Sequence, residues 1–338
     1  MMSSIIPIFI PHLGCPHDCV FCNQKKIAGK TSAPDGETVA HTISEALDKL
    51  SGEVPEVAFY GGSFTAIERT LMIEYLEATK PFLDTGKISG LRLSTRPDSI
   101  DGEVLSILKE YGVNTIELGA QSMDENVLKA SGRGHTAENV RCASRLIKEE
   151  GFSLILQMMT HLPQSDKEKD IYTAKEIAKL SPDGVRVYPT VVVRDTYLEE
   201  MTKEGRYIPC TPEEAADRGG EILAVFRNSG IPVIRFGLNP TDDLSAGEAV
   251  SGAYHPALGE MAMSAYYLSL CEKEIEKTEN SGDAIEIRVH PRRISVMSGQ
   301  KKRNKDILSE KYGFCKVVIL GDSDIPEDKV SVRIYKKA

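Results

Sequence analysis

The sequence predicts an α/β fold built on a parallel β-sheet. Six short apolar runs alternate with amphipathic helical patterns along the first 190 residues, and such alternation is typical of repeated βα units. Polar or glycine-containing segments follow each apolar run, for example "YGGSF", "STRPD" and "ELGAQS". Ligands gather at the carboxyl ends of parallel strands, so these segments predict one functional edge. Periodicity alone leaves a partial barrel and a doubly wound open sheet both possible.

Each predicted element follows from its local pattern. The apolar runs predict six strands, at Ile5–Ile10, Val57–Tyr60, Leu91–Ser94, Thr115–Leu118, Leu154–Met158 and Gly184–Tyr188. Helical periodicity between them predicts helices near Glu37–Leu50, Ile67–Phe82, Gly102–Tyr111, Thr136–Glu149 and Lys167–Leu180. Beyond residue 189 we expect helices around Glu199–Gly205 and Pro212–Asn228, a strand at Val233–Phe236, a long loop over 237–260 and a helix at Met261–Lys277.

The last 55 residues change character. A strand, a helical turn, a basic loop, a helix and two alternating strands give the order β-α-α-β-β. We therefore predict a core over residues 1–240, a loop and helical connector over 241–283, and a small α+β domain over 284–338.

Composition favours a cytoplasmic protein with no membrane partner. The 338 residues carry a net charge of −9, are 27% charged and 41% hydrophobic, and include no Trp. No apolar run is long enough to span a bilayer, and the N-terminal "SSIIPIFI" lacks a basic segment before it. The acidic total argues against a generally basic nucleic-acid binder, although residues 288–305 carry seven Lys or Arg and no acidic residue.

Three of the seven cysteines stand together in "CPHDCVFC", as Cys15, Cys19 and Cys22. A cytoplasmic chain with an odd number of cysteines does not predict a disulfide framework. A structural zinc ion needs four ligands, and His12 or His17 would have to supply the fourth. A [4Fe–4S] cluster held by three thiolates instead keeps one iron open to a small molecule.

The triplet after the first strand resembles that of the radical S-adenosylmethionine (radical SAM) superfamily. The resemblance implies a partial (β/α)6 TIM-like barrel, a [4Fe–4S] cluster on the three cysteines, and S-adenosylmethionine bound at the open iron. It also implies reductive cleavage to a 5′-deoxyadenosyl radical and an electron donor such as flavodoxin or ferredoxin. The cofactor-binding candidates are Gly61, Gly62, Ser63, Arg96, Glu117, Gln121 and Ser122. Ser63 stands where the family usually has an acidic residue, and Arg96 could instead pair with Asp98 to shape its turn.

Longer segments resemble one branch, the radical SAM core of the Elongator catalytic subunit, which modifies tRNA wobble uridine. "SGRGHT" and "VRVYPT" carry this resemblance, and they make Arg133, His135, Arg186 and Tyr188 candidate catalytic-site residues. Three departures limit it: the cysteine spacing differs, about 100 residues follow the core where that subunit has an acetyltransferase-like domain, and no long basic N-terminal segment precedes it. Acetyl-CoA chemistry therefore does not carry over, whereas radical chemistry does.

The basic tail resembles a KH RNA-binding module, although lysine replaces the second glycine of its loop at Gly299–Lys302. Its RNA-binding candidates are Arg292, Arg293, Lys301, Lys302 and Arg303, and the alternative is a solvated charged face. The sequence thus predicts a radical SAM enzyme acting on RNA, most plausibly tRNA. Two alternatives stay open: a radical SAM oxidoreductase for a small molecule or tetrapyrrole, as in oxygen-independent coproporphyrinogen oxidase, and a non-catalytic metal-stabilised RNA-binding protein.

Overall fold

The computed structural model describes residues 4–10, 15–23, 33–238, 247–278 and 282–336. Its central sheet is formed by β1 (Ile5–Ile10), β2 (Glu56–Gly61), β3 (Gly90–Thr95), β4 (Val113–Gln121), β5 (Ser153–Thr160), β6 (Gly184–Pro189) and, after the short strand β7 (Val191–Val193) outside this sheet, β8 (Val233–Phe236). All six neighbouring pairs of these seven strands are parallel, in the order β1-β2-β3-β4-β5-β6-β8.

This strand order decides between the two predicted architectures. A doubly wound sheet reverses its strand order at a switch point, whereas here the order follows the chain without reversal. The predicted partial TIM-like barrel is confirmed. Its sheet has seven strands rather than six, because the run Val233–Phe236, expected as a separate strand, pairs with β6.

Nine helices of the described part accompany the barrel. They are α1 (Gly36–Lys49), α2 (Arg69–Asp84), α3 (Gly102–Glu110), α4 (Glu125–Ala130), α5 (Ala137–Glu149), α6 (Lys167–Lys179), α7 (Tyr197–Lys203), α8 (Pro212–Asn228) and α9 (Leu258–Glu276). Side-chain caps fix several starts: Thr136 and Thr211 each form a capping box with the residue three positions on. The six-residue helix α4 was not predicted.

The main core lies between the outer face of the sheet and the helices. Ile116 and Leu118 of β4, which alternate with Glu117, are fully buried there, as are Val39 and Ile43 of α1. Alternation along a strand sends every second side chain to the opposite face. The polar members of the strands therefore line the inside of the barrel.

The terminal segment has the predicted element order. It consists of β10 (Ala284–Val289), α10 (Ile294–Ser298), α11 (Arg303–Tyr312), β11 (Lys316–Gly321) and β12 (Val330–Tyr335). The short strand β9 (Ala249–Gly252), which precedes this segment, pairs with β7. Strand β10 lies between β11, its parallel neighbour, and β12, its antiparallel one. Helix α9 shares a hydrophobic core with this sheet. The likeness to a KH module and the boundaries at 240 and 283 stay predictions.

The segment 237–260, expected as a loop, contains β9 and the start of α9. Residues 239–246 of it, and His12, lie outside the described residues. No helix in the described ranges is long and apolar enough to cross a membrane.

Candidate active site at the barrel mouth

The cysteine loop is held in place by backbone hydrogen bonds on both sides. The amide of Val20 donates to the carbonyl of Ser131 (3.1 Å), and the amide of Leu198 donates to the carbonyl of Val20 (2.8 Å). Val20 also packs with Leu198 and Tyr207 in a small apolar cluster. The loop after β1 is therefore fixed between the loop after α4 and helix α7, on the carboxyl edge of the sheet.

Arg133 joins this loop to β4. Its Nη1 lies 3.4 Å from the Sγ of Cys19, and its Nη2 donates to the carbonyl of Gly119 (2.8 Å). Only 8% of Arg133 is exposed, and its Nε has no hydrogen-bond partner in the described part of the chain. Arg133 therefore places a buried cation against the cysteine loop.

Arg96 forms a second buried cation at the same place. Its Nε and Nη2 donate to the two carboxylate oxygens of Asp98 (2.9 and 2.8 Å), and Nη2 also donates to the carbonyl of Arg133 (2.9 Å). The predicted turn-shaping pair with Asp98 is thus present. Nη1 of Arg96 is buried without a partner among the described residues, so Arg96 keeps one donor for a ligand.

The charges around Cys15 act in both directions. Burial, and next the neighbouring Cys19, raise the pKa of the Cys15 thiol, while Arg96 and Arg133 lower it. Cys15 and Cys19 are thus close enough to interact. Within the described residues no three His, Cys, Asp or Glu side chains are already gathered into a metal site.

His135 is buried next to this group and neutral at pH 7. Burial, followed by the charge of Arg133, lowers the pKa of His135 to about 3. Nε2 lies 3.1 Å from the carbonyl of Ala120, so Nε2 carries the proton and donates. Nδ1 is then an acceptor, and it has no partner in the described ranges.

The glycine pair at the end of β2 is required by close backbone approach. Gly61 has φ +106°, and a Cβ there would lie 2.7 Å from the carbonyl oxygen of Ile10. Gly62 donates its amide to the same oxygen (2.8 Å). The hydroxyl of Ser63 is already engaged, since it contacts Thr95 Oγ1 (3.1 Å) and accepts from the amide of Arg96 (3.0 Å).

Gln121 and Ser122 end β4 in a strained turn. Gln121 has φ +62°, an uncommon value for a residue other than glycine, and its Oε1 accepts from Gln157 (3.4 Å). Ser122 contacts Thr173 (3.2 Å) and accepts from the amide of Asp124 (3.1 Å). The amide nitrogen of Gln121 has no hydrogen-bond partner among the described residues, whereas Ser122 acts within the turn.

A chain of charges crosses the inside of the barrel below this edge. Glu117 is 3% exposed and accepts from Arg186 Nε (2.8 Å) and Nη2 (3.0 Å), from Arg92 Nη1 (3.1 Å) and from the hydroxyl of Tyr60 (3.1 Å). Arg92 also donates to Glu56 through Nε and Nη2 (2.9 and 2.6 Å). The carboxylate of Glu117, a predicted cofactor-binding group, is therefore already surrounded by donors.

Sequence reasoning did not single out Glu56, Tyr60 and Arg92. Glu56 and Tyr60 alternate with the buried Val57 and Phe59, and this alternation was the signal that could have placed them inside the barrel. Tyr188 lies on the same inner face, where burial raises the pKa of its hydroxyl and Arg186 lowers it.

Comparison with protein families identifies the superfamily of this chain. Residues 9–174 match the Radical SAM superfamily, and residues 182–268 match the Radical_SAM C-terminal domain. The chain belongs to the radical SAM superfamily. Members of this family are enzymes that bind a [4Fe–4S] cluster and S-adenosylmethionine.

Two curated relatives match more than half of this chain. The tRNA uridine(34) acetyltransferase of Dehalococcoides mccartyi is 27% identical over 245 residues, covering 62% of this chain and 53% of that protein. The human Elongator complex protein 3 is 33% identical over 181 residues, covering 53% of this chain and 32% of that protein. This radical SAM chain therefore spans about half of the bacterial relative and about a third of the human one.

Two solved structures share the fold. An archaeal Elongator protein 3 from Methanocaldococcus infernus superposes with a TM-score of 0.61 at 24% identity, over 81% of this chain and 64% of that one. Coproporphyrinogen III oxidase from Escherichia coli gives a TM-score of 0.51 at 19% identity, over 68% and 53%. At these identities the likeness concerns the fold.

The mouth of this radical SAM barrel fits the family's cofactors on three observations. Among the described residues, two buried arginines beside the cysteine loop, Arg96 and Arg133, each keep a nitrogen without a partner, as expected where an anionic ligand binds. The buried Nδ1 of His135 likewise has no partner in the described ranges. The third observation is the sulfur chemistry itself, because three thiolates suit an iron–sulfur cluster with one open iron.

The predicted RNA-binding residues do not form one free basic face. Arg292 and Arg293 pair with Glu327 (3.4 and 2.7 Å), and Arg303 pairs with Asp217 (2.7 Å). Lys301 and Lys302 are exposed, lie in a left-handed backbone conformation (φ +51° and +67°), and form no salt bridge with a described residue. Their role in RNA binding stays a prediction.

Proposed function

We propose that this chain is a radical SAM enzyme that modifies a base of tRNA. The observation that carries the proposal is the continuity of the site: the cysteine loop, the two buried arginines and the polar barrel interior lie on and directly below one edge of one sheet. The curated relatives named for uridine 34 of tRNA and for Elongator complex protein 3 support RNA as the substrate class.

The residues of the mouth have separable roles in this proposal. Cys15, Cys19 and Cys22 would hold the cluster, which would supply the electron for reductive cleavage of S-adenosylmethionine. Arg133 and Arg96 would bind negative charge on the cluster and cofactor through the nitrogens that have no partner among the described residues. Burial of these groups excludes water, which would otherwise compete for each hydrogen bond.

The ends of β2 and β4 hold the rest of the cofactor. Gly61 and Gly62 let its methionine portion approach the backbone at the end of β2. The free amide nitrogen of Gln121 donates to the adenosine portion.

The barrel interior orients the base. Arg235 is the register partner of Arg186 on β8, so the inner face carries the arginines 92, 186 and 235 against Glu56 and Glu117. Arginine side chains on this face suit an electron-rich substrate such as a nucleotide. We propose that Arg186 and Tyr188 contact that substrate. The proposed location is the cytoplasm, and the proposed electron donor is flavodoxin or ferredoxin.

Lys301 and Lys302 provide the proposed phosphate contacts outside the barrel. Charge reversal of both lysines should weaken tRNA binding and reduce the slope of log Kd against log salt by about 1.4 to 1.8, the value for two phosphate contacts. The double variant Lys49→Glu/Lys87→Glu is a matched control, since both residues are exposed and lie toward the opposite, amino-terminal edge of the sheet. An equal loss of affinity in the control would remove the tail from the proposal.

The test of the reaction is nucleoside mass spectrometry. Reconstituted protein is incubated anaerobically with bulk tRNA, S-adenosylmethionine and dithionite, with Cys19→Ala as the inactive control. We expect a mass change in one nucleoside that the control does not produce. Formation of 5′-deoxyadenosine without any change in tRNA would overturn the RNA proposal and favour a small-molecule substrate.

A further inference from the structure

We propose that a cleft on the rim of the barrel mouth binds a nucleobase adjacent to the reacting one, a proposal that rests on the proposed action on RNA. The cleft has a volume of about 470 Å³. It is lined by the loop after β5, the loop between α7 and α8 and the first turns of α8, including His161, Leu162, Tyr207, Ile208, Cys210 and Arg218. It belongs to none of the cofactor contacts described above.

The cleft adjoins the cysteine loop through a single side chain. Tyr207 lines the cleft, and the same ring packs with Val20 and Leu198 in the apolar cluster that holds the cysteine loop. The hydroxyl of Tyr207 donates to the carbonyl of His161 (2.7 Å). A ligand in the cleft therefore lies next to the mouth, on the carboxyl side of the sheet.

His161 presents an unused donor. It is 8% exposed and has φ +60°, a strained conformation held by the amide's hydrogen bond to Asp170 Oδ2 (3.1 Å). Its Nδ1 lies 2.9 Å from the hydroxyl of Thr160, which has no other acceptor in the described part of the chain and so donates to Nδ1. The ring proton is then on Nε2, a buried atom without a partner in the described ranges.

The cleft is close to neutral, which argues against a phosphate as its ligand. Arg218 pairs with Asp170 (2.6 Å) and Arg206 pairs with Glu204. Glu214 is engaged as the capping-box acceptor of α8. Both cations at the cleft are thus paired with carboxylates, and burial, followed by the charge of Arg218, lowers the pKa of His161 to about 4 and keeps its ring uncharged at pH 7.

The remaining walls are apolar and partly open to solvent. Ile208 is 86% exposed, the highest value among the large apolar side chains of the described residues, and it lines the cleft with Pro209 and Leu162. An exposed apolar wall in the same cleft as a neutral N–H donor matches a flat heteroaromatic ring that carries an acceptor atom. Single-stranded RNA is recognised through splayed bases of this kind.

The test is a double-mutant cycle that combines protein variants with RNAs lacking one base. A labelled tRNA anticodon stem-loop containing uridine 34, and versions with one abasic site at each neighbouring loop position, are titrated anaerobically by fluorescence anisotropy. One abasic position should raise the Kd of the wild-type protein about fivefold to 100-fold, the value of one stacked base. His161→Phe and Ile208→Ser should each raise the Kd for intact RNA about threefold to tenfold.

The increases in Kd caused by the variant and by the abasic site should not be additive, because both changes remove the same contact. Val54→Ser is the matched control, as Val54 is 47% exposed and precedes β2 at the opposite edge. Ile208→Ser keeps the test valid if His161→Phe loses stability. Additive losses of affinity at every abasic position, with tRNA still modified, would overturn the proposal for the cleft and leave the proposed function standing. Absence of both RNA binding and tRNA modification would overturn the proposed function, and the proposal for the cleft with it.

Discussion

The ion pairs inside the barrel predict that Glu117→Gln strongly lowers the free energy of unfolding. They also predict that a second substitution restores most of this loss. In Glu117→Gln, the guanidinium of Arg186 stays buried, with 16% of its side chain exposed, and pairs with no other carboxylate of the described residues. Removing one partner of a buried ion pair costs about 3 to 5 kcal/mol because the other charge is left uncompensated. Arg92 suffers less, since it still pairs with Glu56.

Anaerobic urea denaturation of the holoprotein measures this effect through the midpoint and its slope. Glu56→Gln is the matched control. It should lose less than half as much free energy of unfolding, because Arg92 keeps its ion pair with Glu117. The double variant Glu117→Gln/Arg186→Gln should recover most of the loss, since it leaves no unpaired charge. A loss below about 1 kcal/mol in Glu117→Gln, or no recovery in the double variant, would refute the inference that these charges stabilise one another.

Three further predictions concern single residues. Gly61→Ala should prevent tight binding of S-adenosylmethionine in equilibrium dialysis, because its Cβ would lie 2.7 Å from the carbonyl of Ile10 and force the turn open; unchanged binding would contradict this. Between pH 7 and pH 5 the unfolded chain protonates His161 (ordinary pKa 6.5) while the folded protein, with a pKa of about 4, does not, so stability should fall by about 2 kcal/mol. His161→Gln should lack that part of the acid loss; an unaltered pH profile would contradict the assignment. Arg133→Gln should lower the reduction potential of the cluster by about 40 mV, equivalent to about 1 kcal/mol, since the donor near Cys19 is lost, and an unchanged potential by EPR titration would show that the contact does not tune it.

The fold could be predicted from the sequence because its elements are local. Periodicity located β1 and α8 at their observed bounds and the other barrel strands within two or three residues. The pair β7 and β9 escaped prediction because each is only three or four residues long, and their pairing joins positions almost 60 residues apart. Periodicity also could not predict the number of strands in the central sheet, since the membership of Val233–Phe236 depends on its pairing with β6.

The candidate site was predictable where its residues follow strands and not where they pair across them. The cysteines and Gly61 stand in short motifs at strand ends, Arg133 stands in a short motif after α4, and the structure brings them to one edge. The network around Glu117 depends on the register of four strands, which no single segment encodes. Likewise, the pairing of Arg303 with Asp217 of α8 is a tertiary contact that the basic run does not reveal.

The measurement that tests the central claim most directly is S-adenosylmethionine cleavage by the reconstituted protein. Wild-type protein carrying about four iron atoms per chain is incubated anaerobically with S-adenosylmethionine and dithionite, and 5′-deoxyadenosine is quantified with and without tRNA. We predict that it forms, that tRNA increases its yield, and that alanine at Cys15, Cys19 or Cys22 abolishes it while tRNA binding persists. Intact S-adenosylmethionine in fully loaded protein, or loss of tRNA binding in all three cysteine variants, would contradict a catalytic cluster and indicate a structural one.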